Sequence, residues 1–238
     1  MADRPLPDTP ISRPCFLALA ALPIAFSLVV ILIHFTAPEL SAWLFEEGWP
    51  PVEMSQVIIP LIGAGLAIFY RGTRQTGHIP LMKPWLIIFA LGCVYIAGEE
   101  ASWGQHFFGW STGEGWSAIN VQDETNLHNT SAWLNHKPRA LVQLAALFTL
   151  ILAPAIRHME KLSDVRQRFG VFLPGPVCMS SAATVIFWIL AEEARKSFGM
   201  VDLVPRESEA QETALYLFIV TYIYELGRRL PLRRATSA

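Results

Sequence analysis

Six long apolar stretches dominate the hydrophobic pattern of this chain. Their apolar residues fill whole blocks and do not follow the 3.6-residue spacing of an amphipathic helix in a soluble protein. A helix needs about 20 residues to cross the roughly 30 Å hydrocarbon core of a bilayer. We therefore predict membrane-spanning segments near residues 16–36, 52–70, 84–103, 140–156, 171–191 and 211–227, the last with ragged ends.

The predicted fold class is all-α, a polytopic bundle of about six transmembrane helices forming one membrane domain over residues 1–238. Helices are expected because every backbone N–H and C=O must be satisfied within its own segment in lipid, and the alternation of a barrel strand is absent from the sequence. Composition agrees with this class, since 53% of the residues are hydrophobic and only 16% are charged, against about 25% charged in soluble domains.

Charges in the connecting segments predict the orientation. With both termini in the cytoplasm, 13 of the 18 basic residues fall on the inner side, as the positive-inside rule requires. Fifteen of the 20 acidic residues and six of the eight tryptophans then fall on the outer side or at outer helix ends. We expect a multi-pass protein of the bacterial inner membrane, whose long outer connection, residues 104–138, lies along the membrane interface.

Some classes of protein are excluded or disfavoured at this point. A net charge of −2 gives no basic surface for phosphates, so we expect the lipid bilayer, and no nucleic acid, as a partner. The three cysteines lie in or beside apolar stretches without CxxC spacing, which disfavours a disulfide or a thiolate metal site. The first apolar stretch is too long for a signal-peptide core and is read as a retained helix.

Two pairs of glutamates are the most informative polar residues. The third stretch ends in GEEAS and the fifth in AEEAR, so each pair lies at a helix C-terminus, where the helix dipole opposes negative charge. At 1.5 Å per residue, Glu99 lies about 22 Å along its helix, below the expected outer surface. A buried charge costs about 2.5–3.5 kcal/mol on insertion scales, so such residues usually face a cavity, a partner or an ion.

The outer connection carries a second polar group, in the segment NVQDETNLHN. If this segment is helical, Glu124 and His128 stand at i and i+4 on one face, a spacing that suits a shared metal ion. His106, seven residues after Glu99, shares its helical stripe only if the helix continues through Gly104, and its aromatic neighbours indicate an interfacial residue. The alternative is an ordinary interfacial loop in which Glu124 and His128 bond only to each other.

These residues together predict one site at the outer membrane face. The expected catalytic residues are Glu99, Glu100 and Glu124, and the expected ligands of a divalent metal ion are Glu99, Glu100, Glu124, His128, Glu192 and Glu193. Oxygen-rich ligands with one histidine suit a hard or borderline ion. The simpler alternative is that helix-end glutamates mark the boundary with water. That alternative is strongest for Glu53 and Glu212, which lie near helix starts.

Two segments of the chain resemble a known group of sequences. GEEASWGQHFFGW followed by INVQDETNLHN is similar to bacterial multi-spanning membrane proteins, uncharacterised in activity, that carry EE-x-SWGQ and N-x-Q-x-E-x-NLHN. The resemblance covers about 30 residues in detail. It implies importance for Glu99, Glu100, Glu124 and His128 but no reaction, and the arginine common in the group at the place of His106 argues against a ligand role there.

Three functions fit this sequence. The first is a metal-dependent enzyme acting on a lipid-like or membrane-associated substrate, either a hydrolase or transferase or a dinuclear-metal oxidoreductase. The second is a proton- or cation-coupled transporter, in which intramembrane carboxylates relay ions. The third is a non-catalytic membrane scaffold, which would tolerate glutamine at these positions. The similarity of GEEAS and AEEAR hints at duplication but is too short to establish it.

Overall fold

A computed structural model describes residues 11–45, 50–120, 124–127 and 130–230, with the side chains of residues 74, 75, 106 and 132–136 left aside. Over these residues the fold is helical and contains no strand. These described residues form ten α-helices: α1 Arg13–Thr36, α2 Pro38–Phe45, α3 Pro51–Arg71, α4 Met82–Glu100, α5 Gln105–Phe108, α6 Glu114–Ser117, α7 Ala132–His158, α8 Ser163–Phe169, α9 Pro176–Phe198 and α10 Glu207–Arg229.

In the part of the chain that the structure describes, five helices are long and apolar enough to cross a membrane, which makes this chain a membrane protein. They are α1, α3, α4, the Lys137–His158 part of α7, and α9. Their outward faces carry large exposed apolar side chains, for example Leu28, Leu91 and Leu141, which are 63–70% exposed. An apolar exterior of this extent suits contact with lipid tails.

The sixth predicted stretch corresponds to α10, which occupies the centre of the bundle. It packs against α3, α7, α9 and α1, while α4 packs against α3 on one side and α9 packs against α1 and α7 on the other. Its buried residues lie on all sides of the helix, from Ala210 and Ala214 to Phe218 and Ile223. Because neighbouring helices surround it, α10 carries buried glutamates and is less apolar than the five candidate spans.

The buried carboxylate of Glu225 connects α10 to the start of α9, at the end of the bundle where α10 finishes. Glu225 accepts hydrogen bonds from the backbone N–H of Gly175 and the thiol of Cys178, each at 2.9 Å, and pairs with Arg229 at 3.0 Å. A Cβ on Gly175 would lie 1.7 Å from Glu225 Oε1. Glycine is therefore required here by close packing.

Candidate functional site

The end of α4 is formed by an unusual turn. Ser102 and Trp103 have positive φ values of 44° and 53°, and Gly104 follows at 106°. Left-handed backbone at a non-glycine residue costs about 1–3 kcal/mol, so other contacts must hold it. The helix therefore ends at Glu100, three residues before the predicted end. The stripe predicted to join Glu99 to His106 is interrupted by this turn.

The indole of Trp103 folds back onto the last turn of α4. Its ring lies against Gly98, where an added Cβ would be 2.9 Å from the ring, and its Nε1 donates to Glu99 Oε1 at 2.6 Å. The other oxygen of Glu99 accepts the backbone N–H of Leu127 at 2.7 Å. Glu99 is 3% exposed. This carboxylate thus fastens the outer connection to the end of α4.

A network of side chains holds the outer connection in the same place. Glu124 Oε2 accepts from Ser102 Oγ at 3.0 Å and from Asn126 Nδ2 at 2.6 Å. Asn120 Nδ2 donates to the carbonyl and the side-chain oxygen of Asn126, both at 2.9 Å. Gln105 Oε1 accepts the backbone N–H of residue 125 at 2.7 Å. The turn after α4 and residues 124–127 are therefore bonded to each other.

The predicted pair of Glu124 and His128 needs correction in one respect. Residues 124–127 are not helical, so the i, i+4 geometry that would place both side chains on one helical face is not formed there. The Glu124 carboxylate instead bonds to side chains of the turn and the connection. His128 itself lies outside the described residues.

A cavity of about 100 Å³ opens beside Glu99 and Glu100, between α4, α7 and α10. Within it, the hydroxyl of Tyr216 donates a hydrogen bond to Glu100 Oε1 at 2.6 Å. The cavity is lined by Tyr95, Ile96, Glu99, Glu100, Pro138, Arg139, Val142, Glu212, Leu215 and Tyr216. Three carboxyl groups and one guanidinium therefore share a small cavity with aliphatic walls.

Arg139 neutralises one of these carboxylates. It pairs with Glu212 at 3.0 Å and donates to the carbonyl of Ser208 at 2.9 Å, so α7 is bound to the first turns of α10. The side chains of Arg139 and Glu212 are 16% and 21% exposed. The interpretation of Glu212 as a solvated helix-start residue was wrong, because α7 covers it. Glu100 differs from Glu212, since its described hydrogen bond is to a neutral phenol.

Further arginines bind the carboxylates at the start of α10. Arg206 contacts Glu53 and Glu209, each at 2.6 Å, and Arg195 contacts Glu207 at 2.9 Å. Glu207 and Glu209 are buried, at 5% and 8% exposure, and lie where the helix dipole favours negative charge. Glu53 therefore joins α3 to α10 and does not simply mark the water boundary. These contacts define what we call the carboxylate end of the bundle: the end of α4 and α9 and the start of α3, α7 and α10.

The second glutamate pair has different surroundings. Lys196, one turn further along α9, lies 2.7 Å from Glu192 and 3.8 Å from Glu193. The side chains of Lys196 and Glu193 are 51% and 64% exposed. Because α9 and α4 pack on different sides of the central helices, the described contacts do not bring this pair to Glu99 and Glu100. Glu193 corresponds to the simpler alternative of a helix-end charge near water, whereas the Glu192 side chain is 20% exposed and is paired with Lys196.

The described side chains do not form a metal-binding group. Within residues 11–45, 50–120, 124–127 and 130–230, no group of three or more His, Cys, Asp or Glu is arranged to hold a metal ion. Glu99 and Glu124 use their oxygens for hydrogen bonds to the turn and the connection. The expected metal therefore stays a prediction that involves His128.

Comparison with protein-family models, curated proteins and solved structures found no significant match to this chain.

Several residues of the site were missed from sequence. Tyr216 lies inside an apolar stretch and gave no signal. Arg139, Arg195 and Arg206 did give one, because they are among the five basic residues on the predicted outer side, which the positive-inside rule leaves poor in positive charge. A basic residue there requires a local reason, and each of the three binds a glutamate.

Proposed function

We propose that this protein is a six-helix protein of the bacterial inner membrane, with both termini in the cytoplasm and the carboxylate end facing outward. The five candidate spans, the central position of α10 and the distribution of basic residues support this orientation. Reporter fusions after Arg74 and Arg168 should give cytoplasmic signals, and fusions at Gly113 and Asp202 external ones. A cytoplasmic signal at Gly113 would reverse the orientation.

We propose further that the cavity between α4, α7 and α10 is the active site of an enzyme acting on a lipid-like or membrane-associated substrate. The observation that carries this proposal is that the described hydrogen bond of Glu100 comes from an uncharged partner, the hydroxyl of Tyr216. Glu53, Glu209 and Glu212 each bind a guanidinium. Glu99 and Glu124 each accept two described hydrogen bonds, whereas the partly buried Glu100 accepts one, from Tyr216. Among these described carboxyl groups, Glu100 thus has the least compensation of its charge.

A carboxyl group in such surroundings needs a proton or a cation to balance its charge. Interaction with the carboxylates of Glu99 and Glu212 in the same cavity adds to this requirement. A group that exchanges a proton beside an open cavity can act as a general acid or base. In this proposal Glu100 transfers the proton, Tyr216 orients its carboxyl group, and Arg139 holds Glu212 in place.

A hydrolysis or transfer reaction fits these roles. Glu100 would remove a proton from the attacking hydroxyl or water and return it to the leaving group, so the proton count balances over the cycle. The aliphatic residues Ile96, Val142 and Leu215 would contact the apolar part of the substrate. A divalent metal ion held with the help of His128 remains part of the prediction, and none of these roles depends on it.

Proton- or cation-coupled transport is the second candidate, favoured by the excess of carboxyl groups in a cavity between helices. Transporters usually place such sites near the bilayer midplane at broken helices. The cavity here lies at one end of the bundle, and α10 is helical without interruption from Glu207 to Arg229. The third candidate, a scaffold, would leave Glu100 replaceable by glutamine without effect.

One experiment separates the three candidates. Purified protein is reconstituted with a total bacterial lipid extract, and the lipids are analysed by mass spectrometry after incubation, for the native chain and for Glu100→Gln, Tyr216→Phe and Glu193→Gln. An enzyme should change the lipid profile, and Glu100→Gln should slow that change by about 10²–10⁴-fold, the usual contribution of a positioned acid or base. Tyr216→Phe should slow it less, and Glu193→Gln, an exposed matched control, should leave it unchanged.

The same proteoliposomes, loaded with a pH-sensitive dye, test the alternatives. Proton uptake that depends on Glu100, with an unchanged lipid profile, would replace the enzyme by a transporter. An unchanged lipid profile without proton movement, for native protein and Glu100→Gln alike, would favour the scaffold.

A further inference from the structure

An exposed aromatic surface covers part of the connection after α4. It consists of Trp103, Phe107, Phe108, Trp110 and Ile119, which are 41–79% exposed. Phe108 is the most exposed of these residues, at 79%. These large apolar side chains are concentrated in one short connection outside the five candidate spans. Their exposure to water is unfavourable, so such a patch indicates contact with a membrane or another protein.

The surface is held in a defined shape. The rings of Phe108 and Trp110 stack with centroids 5.7 Å apart and planes 9° apart, and a Cβ on Gly104 would lie 3.0 Å from the Trp110 ring. Gln105 Nε2 donates to the hydroxyl of Thr112 at 2.9 Å, which closes the segment on itself. The aromatic side chains therefore project from an ordered support.

Its position along the membrane normal follows from α4. This helix has 19 residues and is about 28 Å long at 1.5 Å per residue, close to the roughly 30 Å of the hydrocarbon core. The aromatic surface begins three residues after α4 and is fastened to its end through the bond between Trp103 and Glu99. It therefore lies at the level where the hydrocarbon meets the headgroups, where aromatic residues are enriched.

Charge in the segment indicates what kind of contact it makes. Residues 103–119 contain no lysine or arginine, and Glu114 is their one acidic residue. Attraction to anionic lipids therefore has no basis here, and a bilayer contact must come from burial of the aromatic side chains.

We propose that the aromatic surface is a membrane-docking surface, which inserts Phe108 and its neighbours into the headgroup region of the leaflet at the carboxylate end. It directly follows α4, one of the candidate membrane spans. It depends on this chain being a membrane protein and is independent of the chemistry proposed for the cavity. The alternative occupant, a second copy of the chain, is an outcome of the test.

The test places a polarity-sensitive fluorophore on single cysteines of the full chain in phosphatidylcholine nanodiscs. Cys15→Ser provides the background, because Cys93 and Cys178 are buried. Phe108→Cys is compared with Ser111→Cys, a matched exposed polar position in the same connection. Aqueous iodide, lipids carrying a quencher near the headgroup and lipids carrying one at the bilayer centre are then added in turn.

The headgroup-level quencher should reduce emission at position 108 at least threefold more than at 111, with iodide giving the reverse order and the central quencher acting weakly. Added anionic lipid should change none of these ratios. Equal access of iodide to both positions would overturn the proposal. Protection at 108 that disappears when each nanodisc holds one protein molecule would also overturn it, in favour of a contact between copies.

Discussion

Replacing Arg206 tests whether the carboxylate end is held together by buried charge. Its guanidinium contacts Glu53 of α3 and Glu209 of α10, each at 2.6 Å. The side chains of these glutamates are 18% and 11% exposed, and that of Arg206 is 30% exposed. Arg206→Met removes the charge and keeps much of the apolar stem, leaving two partly buried carboxylates without this partner.

The expected magnitude follows from burial. Breaking a buried pair by removing one partner costs about 3–5 kcal/mol, whereas an exposed pair contributes roughly 0–1 kcal/mol. Since Arg206 is partly exposed, we expect the free energy of unfolding to fall by about 2–4 kcal/mol. Gln56 Nε2, which donates to Glu209 Oε2 at 3.1 Å, keeps one bond to the group and limits the loss.

Lys196→Met is the matched control. Lys196 also contacts two glutamates from one helix-end position, but its side chain is 51% exposed, so its removal should cost less than about 1 kcal/mol. Both variants are measured by reversible unfolding in mixed micelles of mild detergent and dodecyl sulfate. The triple variant Arg206→Met with Glu53→Gln and Glu209→Gln should recover part of the loss, because no carboxylate is left unpaired. Equal losses for Arg206→Met and Lys196→Met would refute the reasoning.

Two glycine substitutions test close packing, with a third as control. Gly98→Ala brings a methyl group to 2.9 Å from Trp103, so it should cost about 1–3 kcal/mol and increase proteolysis of the connection after α4. Gly175→Ala should cost about 3 kcal/mol by the same unfolding assay, since it displaces the buried carboxylate of Glu225. Gly92→Ala, whose Cβ meets nothing within 4 Å, should leave stability unchanged or raise it by up to about 1 kcal/mol. A loss for Gly92→Ala as large as for Gly98→Ala would contradict the packing argument.

The helical class was predictable because the requirement that drives it is local. A segment in lipid must satisfy its own backbone, so the length of each apolar stretch is sufficient evidence. The end of α4 was not predictable in this way. It depends on Trp103 packing against Gly98 and on Glu99 binding Leu127, contacts that join residues up to 28 positions apart. Residue types alone do not disclose such a turn.

The candidate site was predictable only in part, for a related reason. The sequence indicated Glu99 and Glu100 because paired carboxylates at a helix C-terminus are costly, and Glu124 because of its i, i+4 spacing to His128. It could not show which carboxylates have partners, because Arg139 and Tyr216 come from α7 and α10, and their approach is decided by helix packing. The same helix-end criterion therefore grouped Glu192 and Glu193 with residues whose surroundings differ from theirs.

The neighbours Glu99 and Glu100 have different roles because successive residues on a helix point about 100° apart. Glu99 points toward the connection, where two N–H donors occupy its oxygens, and its loss would release that connection. Glu100 points toward α10, where its partner is the hydroxyl of Tyr216. Glutamine at 100 can still accept that hydrogen bond but cannot exchange a proton in the same way. Glu100→Gln therefore separates chemistry from folding, while the same change at Glu99 would confound them.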